Sequence, residues 1–111
     1  MVLIIGGAYQ GKLDFAKSTF DLSESDIFTC TGGEIDFSKR CIDHTEEFTL
    51  WCAQSGVDAV EFFRSCRERW QNSILICEDI SAGVVPLGAD MRAWRQMNGL
   101  LCRYLSGEAA Q

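Results

Sequence analysis

The residues best suited to chemistry lie near the start of the chain, where a glycine-rich segment ends in a lysine. Residues 6–12 fit the spacing G-x-x-x-x-G-K and follow an apolar run at residues 2–5. In such a loop, glycines let successive backbone N–H groups turn toward a phosphate, and the lysine adds a positive charge. We therefore predict that nucleotide phosphates bind at Gly6, Gly7, Ala8, Tyr9, Gln10, Gly11, Lys12 and Leu13.

Leu13 departs from the motif, which has Ser or Thr after the lysine because that hydroxyl ligates Mg²⁺. Lys12 keeps its expected role and is the candidate catalytic residue of the loop. A strand, a glycine turn and a helix also occur in α/β units that bind no ligand, so this second interpretation stays open.

Two acids follow the apolar run at residues 73–77, namely Glu78 and Asp79. In open α/β sheets, ligands collect at the carboxyl ends of the strands, so these acids should face the same crevice as the glycine loop. A carboxylate there would hold Mg²⁺ directly or through water. The alternative is a pair of solvated acids at the end of a strand.

His44 is the only histidine of the chain. As a nucleophile it would accept a guanylyl group from GTP. As an exposed residue at the start of a helix it needs no chemical role, and we favour this second interpretation because sequence spacing identifies no partner that would orient the imidazole.

The surrounding pattern predicts the elements that position these residues. Apolar runs predict three strands, and helical spacing predicts a helix after the loop, two short central helices and a long final helix with Gly107 as its C-cap. The aromatic residues of the central helices are expected on the inner, core-facing side, and the last helix has one apolar stripe. These residues are Phe48, Trp51, Cys52, Phe63, Cys66 and Trp70 in the central helices, and Met91, Trp94, Met97, Leu101 and Leu105 in the last. Acid-containing start signals precede the central helices at residues 43–46 and 58–61. Residues 34–42 show no clear period and are expected to form a loop. The predicted fold is a three-layer α/β fold with a small, mostly parallel sheet flanked by helices.

Composition limits the functional classes. The 111 residues are enough for one domain, and a net charge of −6 argues against nucleic-acid binding, which needs a basic surface. The six cysteines form no C-x-x-C pair and are expected to be reduced. Neither a signal peptide nor a membrane span is expected, which favours a cytoplasmic location. A sheet this narrow leaves edges to be covered, so a homo-oligomer is expected.

Two segments together carry a resemblance to a known family. The chain resembles the adenosylcobinamide kinase / adenosylcobinamide-phosphate guanylyltransferase family of cobalamin biosynthesis. The matching residues are Ile4, Ile5, Gly6, Gly7, Ala8, Gly11 and Lys12 at the front, and Gly83, Val84, Val85, Pro86, Arg92, Trp94, Arg95, Gly99 and Leu105 at the back.

The resemblance implies a P-loop α/β fold, ATP- or GTP-dependent phosphorylation of the aminopropanol hydroxyl of cobinamide, and GMP transfer through a guanylylated histidine. It also implies trimers, phosphate binding at residues 6–12 and Asp79 as the residue on the metal side. The middle of the chain is shorter than in the family, and the family continues into another strand where this chain stops. A nucleotide-binding or assembly protein that kept the fold and lost the chemistry is therefore the alternative, and a loop that binds only inorganic phosphate or sulfate is a third.

Overall fold

The sheet is the centre of the computed structural model, which describes residues 1–6, 11–80 and 89–109. Four strands lie in the order β1-β4-β3-β2, and every neighbouring pair is parallel. β1 and β2 are thus the edges of the described sheet. The strands are β1 (Val2–Gly6), β2 (Ile27–Thr29), β3 (Cys41–Asp43) and β4 (Ile74–Glu78).

The described part of the chain also contains five α-helices and one 3₁₀ turn at Glu24–Asp26. The helix α1 follows β1, three helices join β3 to β4, and a long helix ends the described chain. Their bounds are α1 (Lys12–Phe20), α2 (Thr45–Ser55), α3 (Ala59–Ser65), α4 (Arg67–Trp70) and α5 (Ala89–Glu108).

The central strand β4 is apolar from Ile74 to Cys77 because both of its faces are covered there. Ile74 and Ile76 belong to a core cluster with Ala16 of α1, whereas Leu75 belongs to a second cluster with residues of α2, α3 and α5. Helices therefore pack on both faces of the sheet. The predicted α/β class with a small parallel sheet is confirmed.

The larger core is rich in aromatic side chains, as the helical spacing of the central segment predicted. Phe48, Phe63 and Trp70 are fully buried. The ring of Phe63 contacts the rings of both Phe48 and Trp70, and Phe48 also contacts Phe62. Trp51 was expected on the same inner face, but 38% of it is exposed.

Two local predictions are wrong. Residues 34–42 were expected to be loop, yet the strand β3 begins at Cys41, where β4 and β2 pair with it from both sides. Gly107 was expected to end the last helix, but α5 continues to Glu108. The helix start predicted at residues 43–46 is confirmed, since α2 begins at Thr45, although Asp43 belongs to β3 and His44 takes the position before α2 in a left-handed conformation, with φ of 56° and no side-chain cap.

The cysteine prediction is confirmed, since all six are free thiols and four of them are buried. Within residues 1–6, 11–80 and 89–109, none of the helices combines the length and apolar character that crossing a bilayer would require.

Candidate functional site

The carboxyl edge of the sheet brings the ends of β1 and β4 together. Gly6 pairs with Glu78, and the N–H of Asp79 donates a hydrogen bond of 2.7 Å to the carbonyl oxygen of Gly6. The two strand ends that sequence reasoning assigned to phosphate and metal are thus direct neighbours.

The helix α1 starts at the same edge. Gly11 adopts the left-handed conformation, with φ of 67°, and its carbonyl oxygen accepts a bond of 2.9 Å from the N–H of Phe15 in the first turn. Lys12 is the first residue of the helix and is half-buried. The predicted loop residues Gly7, Ala8, Tyr9 and Gln10 lie outside the described residues, as does the turn at residues 83–86.

Leu13 has a structural role. It is half-buried and packs against the core cluster that joins α1 to the sheet. A leucine there stabilises the contact between α1 and β4, and it offers no oxygen to a metal ion.

The end of β3 adds a second group of polar residues to this edge, centred on His44. The N–H of His44 donates to Oδ1 of Asp43 at 2.9 Å, and the imidazole Nδ1 lies 2.6 Å from Oε2 of Glu46. The other ring nitrogen, Nε2, lies 3.8 Å from Oδ2 of Asp43. Glu46 is only 1% exposed, whereas the His44 side chain is 52% exposed. A buried carboxylate thus orients an accessible imidazole, which is the partner that sequence spacing did not reveal.

The charged side chains around His44 shift one another's pKa values. The hydrogen bond to Glu46 raises the pKa of His44 above its usual range, with a smaller contribution from Asp43, and partial burial opposes the shift. Burial raises the pKa of Asp43, while the positive charges of His44 and Lys12 lower it. Lys12 is therefore close enough to Asp43 to favour its ionised form.

Glu46 also connects β3 to β4. Its Oε1 accepts a hydrogen bond of 2.9 Å from the N–H of Glu78, and its backbone carbonyl accepts one of 2.9 Å from Nε1 of Trp94. One buried carboxylate therefore holds both His44 and the end of β4, while α5 holds the backbone of Glu46 from the other side.

A second link runs from α5 to the end of β4 through Asn98, which is buried. Its Nδ2 donates to the carbonyl oxygen of Glu78 at 3.1 Å, and its Oδ1 accepts from the hydroxyl of Thr49 at 2.9 Å. Oδ1 also lies 3.3 Å from the thiol of Cys77. Both backbone groups of Glu78 are thus bonded to side chains of helices, which fixes the strand end from which Asp79 projects.

The metal prediction rests on Glu78 and Asp79, which are half-buried and exposed respectively. Carboxylate oxygens fit Mg²⁺ chemically, and the backbone of both residues lies beside Gly6. Within the described residues, no three His, Cys, Asp or Glu side chains come together as a metal-binding group. The protein would therefore supply one or two of the oxygen ligands, and phosphate or water the others.

Sequence reasoning found the tips of β1 and β4 and missed Glu46, Trp94 and Asn98 as parts of the same site. Glu46 was interpreted as a helix-start signal, and Trp94 as part of the apolar stripe of the last helix. Comparison with protein-family models finds none that matches this chain, and comparison with curated proteins finds no match either.

Proposed function

We propose that the protein binds a nucleoside triphosphate through its phosphates at the carboxyl edge of the sheet. The observation that carries the proposal is the junction of Gly6 with Glu78 and Asp79, at the edge where Gly11 and Lys12 begin α1. This edge combines backbone at a strand end, a helix N-terminus and a lysine, which are the features that bind phosphate in α/β proteins.

The distribution of charge at this edge supports a metal-bound nucleotide. Among the described residues, Asp43, Glu46, Glu78 and Asp79 contribute four acids at this edge, against Lys12, His44 and Arg95. A free triphosphate would be repelled by these carboxylates. Glu78 and Asp79 would hold Mg²⁺, which would neutralise part of the phosphate charge when bound.

We further propose the reaction type that the family resemblance implies, which is phosphorylation of cobinamide or transfer of GMP to it. Lys12 would neutralise the charge that develops on the transferred phosphoryl group. His44 would act as the guanylyl acceptor. With its Nδ1 proton held by Glu46, the Nε2 lone pair attacks the α-phosphorus of GTP, a P–N bond forms, and pyrophosphate leaves.

The second candidate is a nucleotide-binding or assembly protein without catalysis. The position of Leu13 favours it, because the residue that would ligate Mg²⁺ in a P-loop enzyme is here committed to the core. On this hypothesis nucleotide binding depends little on Mg²⁺, and no product forms.

Calorimetry with ATP, GTP and inorganic phosphate, each with and without Mg²⁺, tests binding. Lys12→Ala should weaken nucleotide affinity about tenfold to a hundredfold, as expected for the loss of a hydrogen bond to a charged group. Lys39→Ala is the matched control. Lys39 precedes β3 and so lies at the amino ends of the strands, opposite the proposed site at their carboxyl ends. If both variants bind nucleotide with equal affinity, the proposed site is wrong. If inorganic phosphate binds as tightly as nucleotide, the site binds only the anion and does not recognise the nucleoside.

Turnover separates the two candidates. The active enzyme should form phosphorylated cobinamide from labelled ATP or GTP, and incubation with GTP should add the mass of GMP to the protein. His44→Asn should abolish the adduct while nucleotide binding persists. Intact binding without product or adduct supports the non-catalytic alternative.

The proposal includes a cytoplasmic location, where nucleotides are supplied, and a homo-oligomer. The edge strand β1 supports the oligomer, because Ile5 is 43% exposed on it. Light scattering coupled to gel filtration measures the assembly directly.

A further inference from the structure

Two thiols meet between the sheet and the last helix. Sγ of Cys77 on β4 lies 3.3 Å from Sγ of Cys102 on α5. Cys77 is buried and Cys102 is half-buried. The two residues are 25 positions apart in sequence, so their contact depends on the packing of α5 against the end of β4.

We propose that Cys77 and Cys102 form a reversible intramolecular disulfide, which closes by exchange with a low-molecular-weight disulfide such as oxidised glutathione. Closing the bond would join the end of β4 covalently to α5.

A small cavity gives access to the pair. It has a volume of about 160 Å³ and is lined by Cys102 together with Asp79, Arg95 and Asn98. Cys102 is therefore the thiol that meets a reagent from outside, and Cys77 lies directly behind it.

The exchange proceeds in two balanced steps. The Cys102 thiolate attacks one sulfur of oxidised glutathione, forms a mixed disulfide and releases one glutathione thiolate. The Cys77 sulfur then attacks the Cys102 sulfur, forms the intramolecular bond and releases the second glutathione thiolate. The two cysteine protons pass through solvent to the two released thiolates, so that the protein thiols are oxidised and glutathione is reduced.

The other cysteines have different surroundings. Burial raises the pKa of Cys30 and Cys52 to about 12 and that of Cys41 to about 11, which keeps these thiols protonated and unreactive. Cys66 is half-buried, and its thiol lies 3.2 Å from the carbonyl oxygen of Phe62. The hydrogen bond between the two thiols lowers the pKa of Cys102 and, together with burial, raises the pKa of Cys77. Cys102 is therefore the thiol that attacks first. Cys77 attacks only after Cys102 has entered the mixed disulfide, where the thiolate that raised the pKa of Cys77 no longer exists.

The network around Asn98 would respond to oxidation. Oδ1 of Asn98 lies within hydrogen-bond distance of the Cys77 thiol, and Nδ2 of the same side chain holds the carbonyl of Glu78. A closed disulfide removes the thiol proton from this network. The oxidation state of the pair is thus transmitted to the strand end beside Gly6.

The test is a thiol count combined with peptide mapping. The folded protein is incubated with oxidised glutathione, quenched by alkylation under denaturing conditions, digested and analysed by mass spectrometry. The expected result is a fall from six free thiols to four, a cross-linked peptide pair that contains Cys77 and Cys102, and recovery of all thiols after addition of dithiothreitol.

Cys102→Ser should abolish the cross-link and keep its remaining five thiols free of intramolecular disulfides. Cys66→Ser is the matched control, since it removes another half-buried thiol, and should still lose two thiols. The peptide map of the wild-type protein tests the proposal even if a variant fails to fold. Three results would each overturn the proposal. All six thiols could remain free, glutathione could form a stable adduct on Cys102 without the cross-link, or the cross-link could join other cysteines.

Discussion

Replacing Glu46 by glutamine removes the negative charge that faces the His44 imidazole and keeps an oxygen at the same position. The glutamine carbonyl can still accept from the N–H of Glu78, where Glu46 Oε1 accepts at 2.9 Å. The change therefore isolates the interaction between Oε2 of Glu46 and Nδ1 of His44, which are 2.6 Å apart.

The expected cost depends on the charge of the imidazole. A hydrogen bond that involves a charged group contributes about 1.5–3 kcal/mol, and a neutral one about 0.5–1.5 kcal/mol. Since the His44 side chain is 52% exposed, solvent screens part of the difference. We expect Glu46→Gln to lower the free energy of unfolding by about 1 kcal/mol when His44 is protonated.

The pH dependence follows from the direction of the pKa shift. The pKa of His44 is raised in the folded protein, so its contribution to stability is fully present below the pKa of an unfolded histidine, about 6.5. That contribution is lost as the pH rises through the folded pKa. The difference in stability between wild type and Glu46→Gln should therefore shrink as the pH rises through the folded pKa of His44, down to the part that the hydrogen bond of a neutral imidazole contributes.

Two measurements check this prediction. NMR titration of the His44 ring is unambiguous because the chain has one histidine, and its midpoint should lie above about 6.5 in the wild type and fall in Glu46→Gln. Urea unfolding at low and high pH gives the free energies. Glu47→Gln is the control with the same change of net charge. A wild-type midpoint at or below the ordinary histidine value, or equal shifts in both variants, would refute the assigned role of Glu46.

Three further changes test the packing that positions the site. Asp58→Ala removes the side chain that caps α3 through two backbone N–H groups and should cost about 1 kcal/mol in urea unfolding, while Asp58→Asn should cost less. Gly33→Ala would place a Cβ 2.4 Å from the Trp51 ring, so it should lower stability by about 1–2 kcal/mol and change tryptophan fluorescence. Gly32→Ala, whose Cβ would meet no atom of the described residues within 4 Å, should do neither. Asn98→Ala breaks three hydrogen bonds of a buried side chain and should lower the thermal midpoint by an amount equivalent to about 2–3 kcal/mol; a loss below about 0.5 kcal/mol would contradict the network.

The strands differ in how well their sequences predict them. Residues 2–5 of β1 and residues 74–77 of β4 are continuous apolar runs, and helices cover both faces of β4. Such runs are visible in a single sequence. β3 has only three residues, between Arg40 and His44, and carries an acid at its end. It forms because β2 and β4 pair with it on both sides, which is a nonlocal cause.

The two helix-start signals had different outcomes for a similar reason. At Asp58 the acid caps its own helix, with Oδ1 3.0 Å from the N–H of Val60. At Asp43 the same pattern is used differently, because the acid ends a strand and Glu46 turns toward the β4 end instead of back along its own chain. A local sequence pattern cannot show whether Glu46 will bond to its own helix start or to the N–H of Glu78 on the neighbouring strand β4.

The sequence by itself determined the α/β class, the burial of Phe48, Phe63 and Trp70, and the strand ends at Gly6 and Glu78, because hydrophobic periodicity and glycine spacing are local properties of the chain. Only the tertiary structure decided that the buried Glu46 orients His44, and that Cys77 meets Cys102. These contacts join residues from different elements, and their energies depend on burial and on the distance between groups. Neither quantity exists until the helices pack on the sheet.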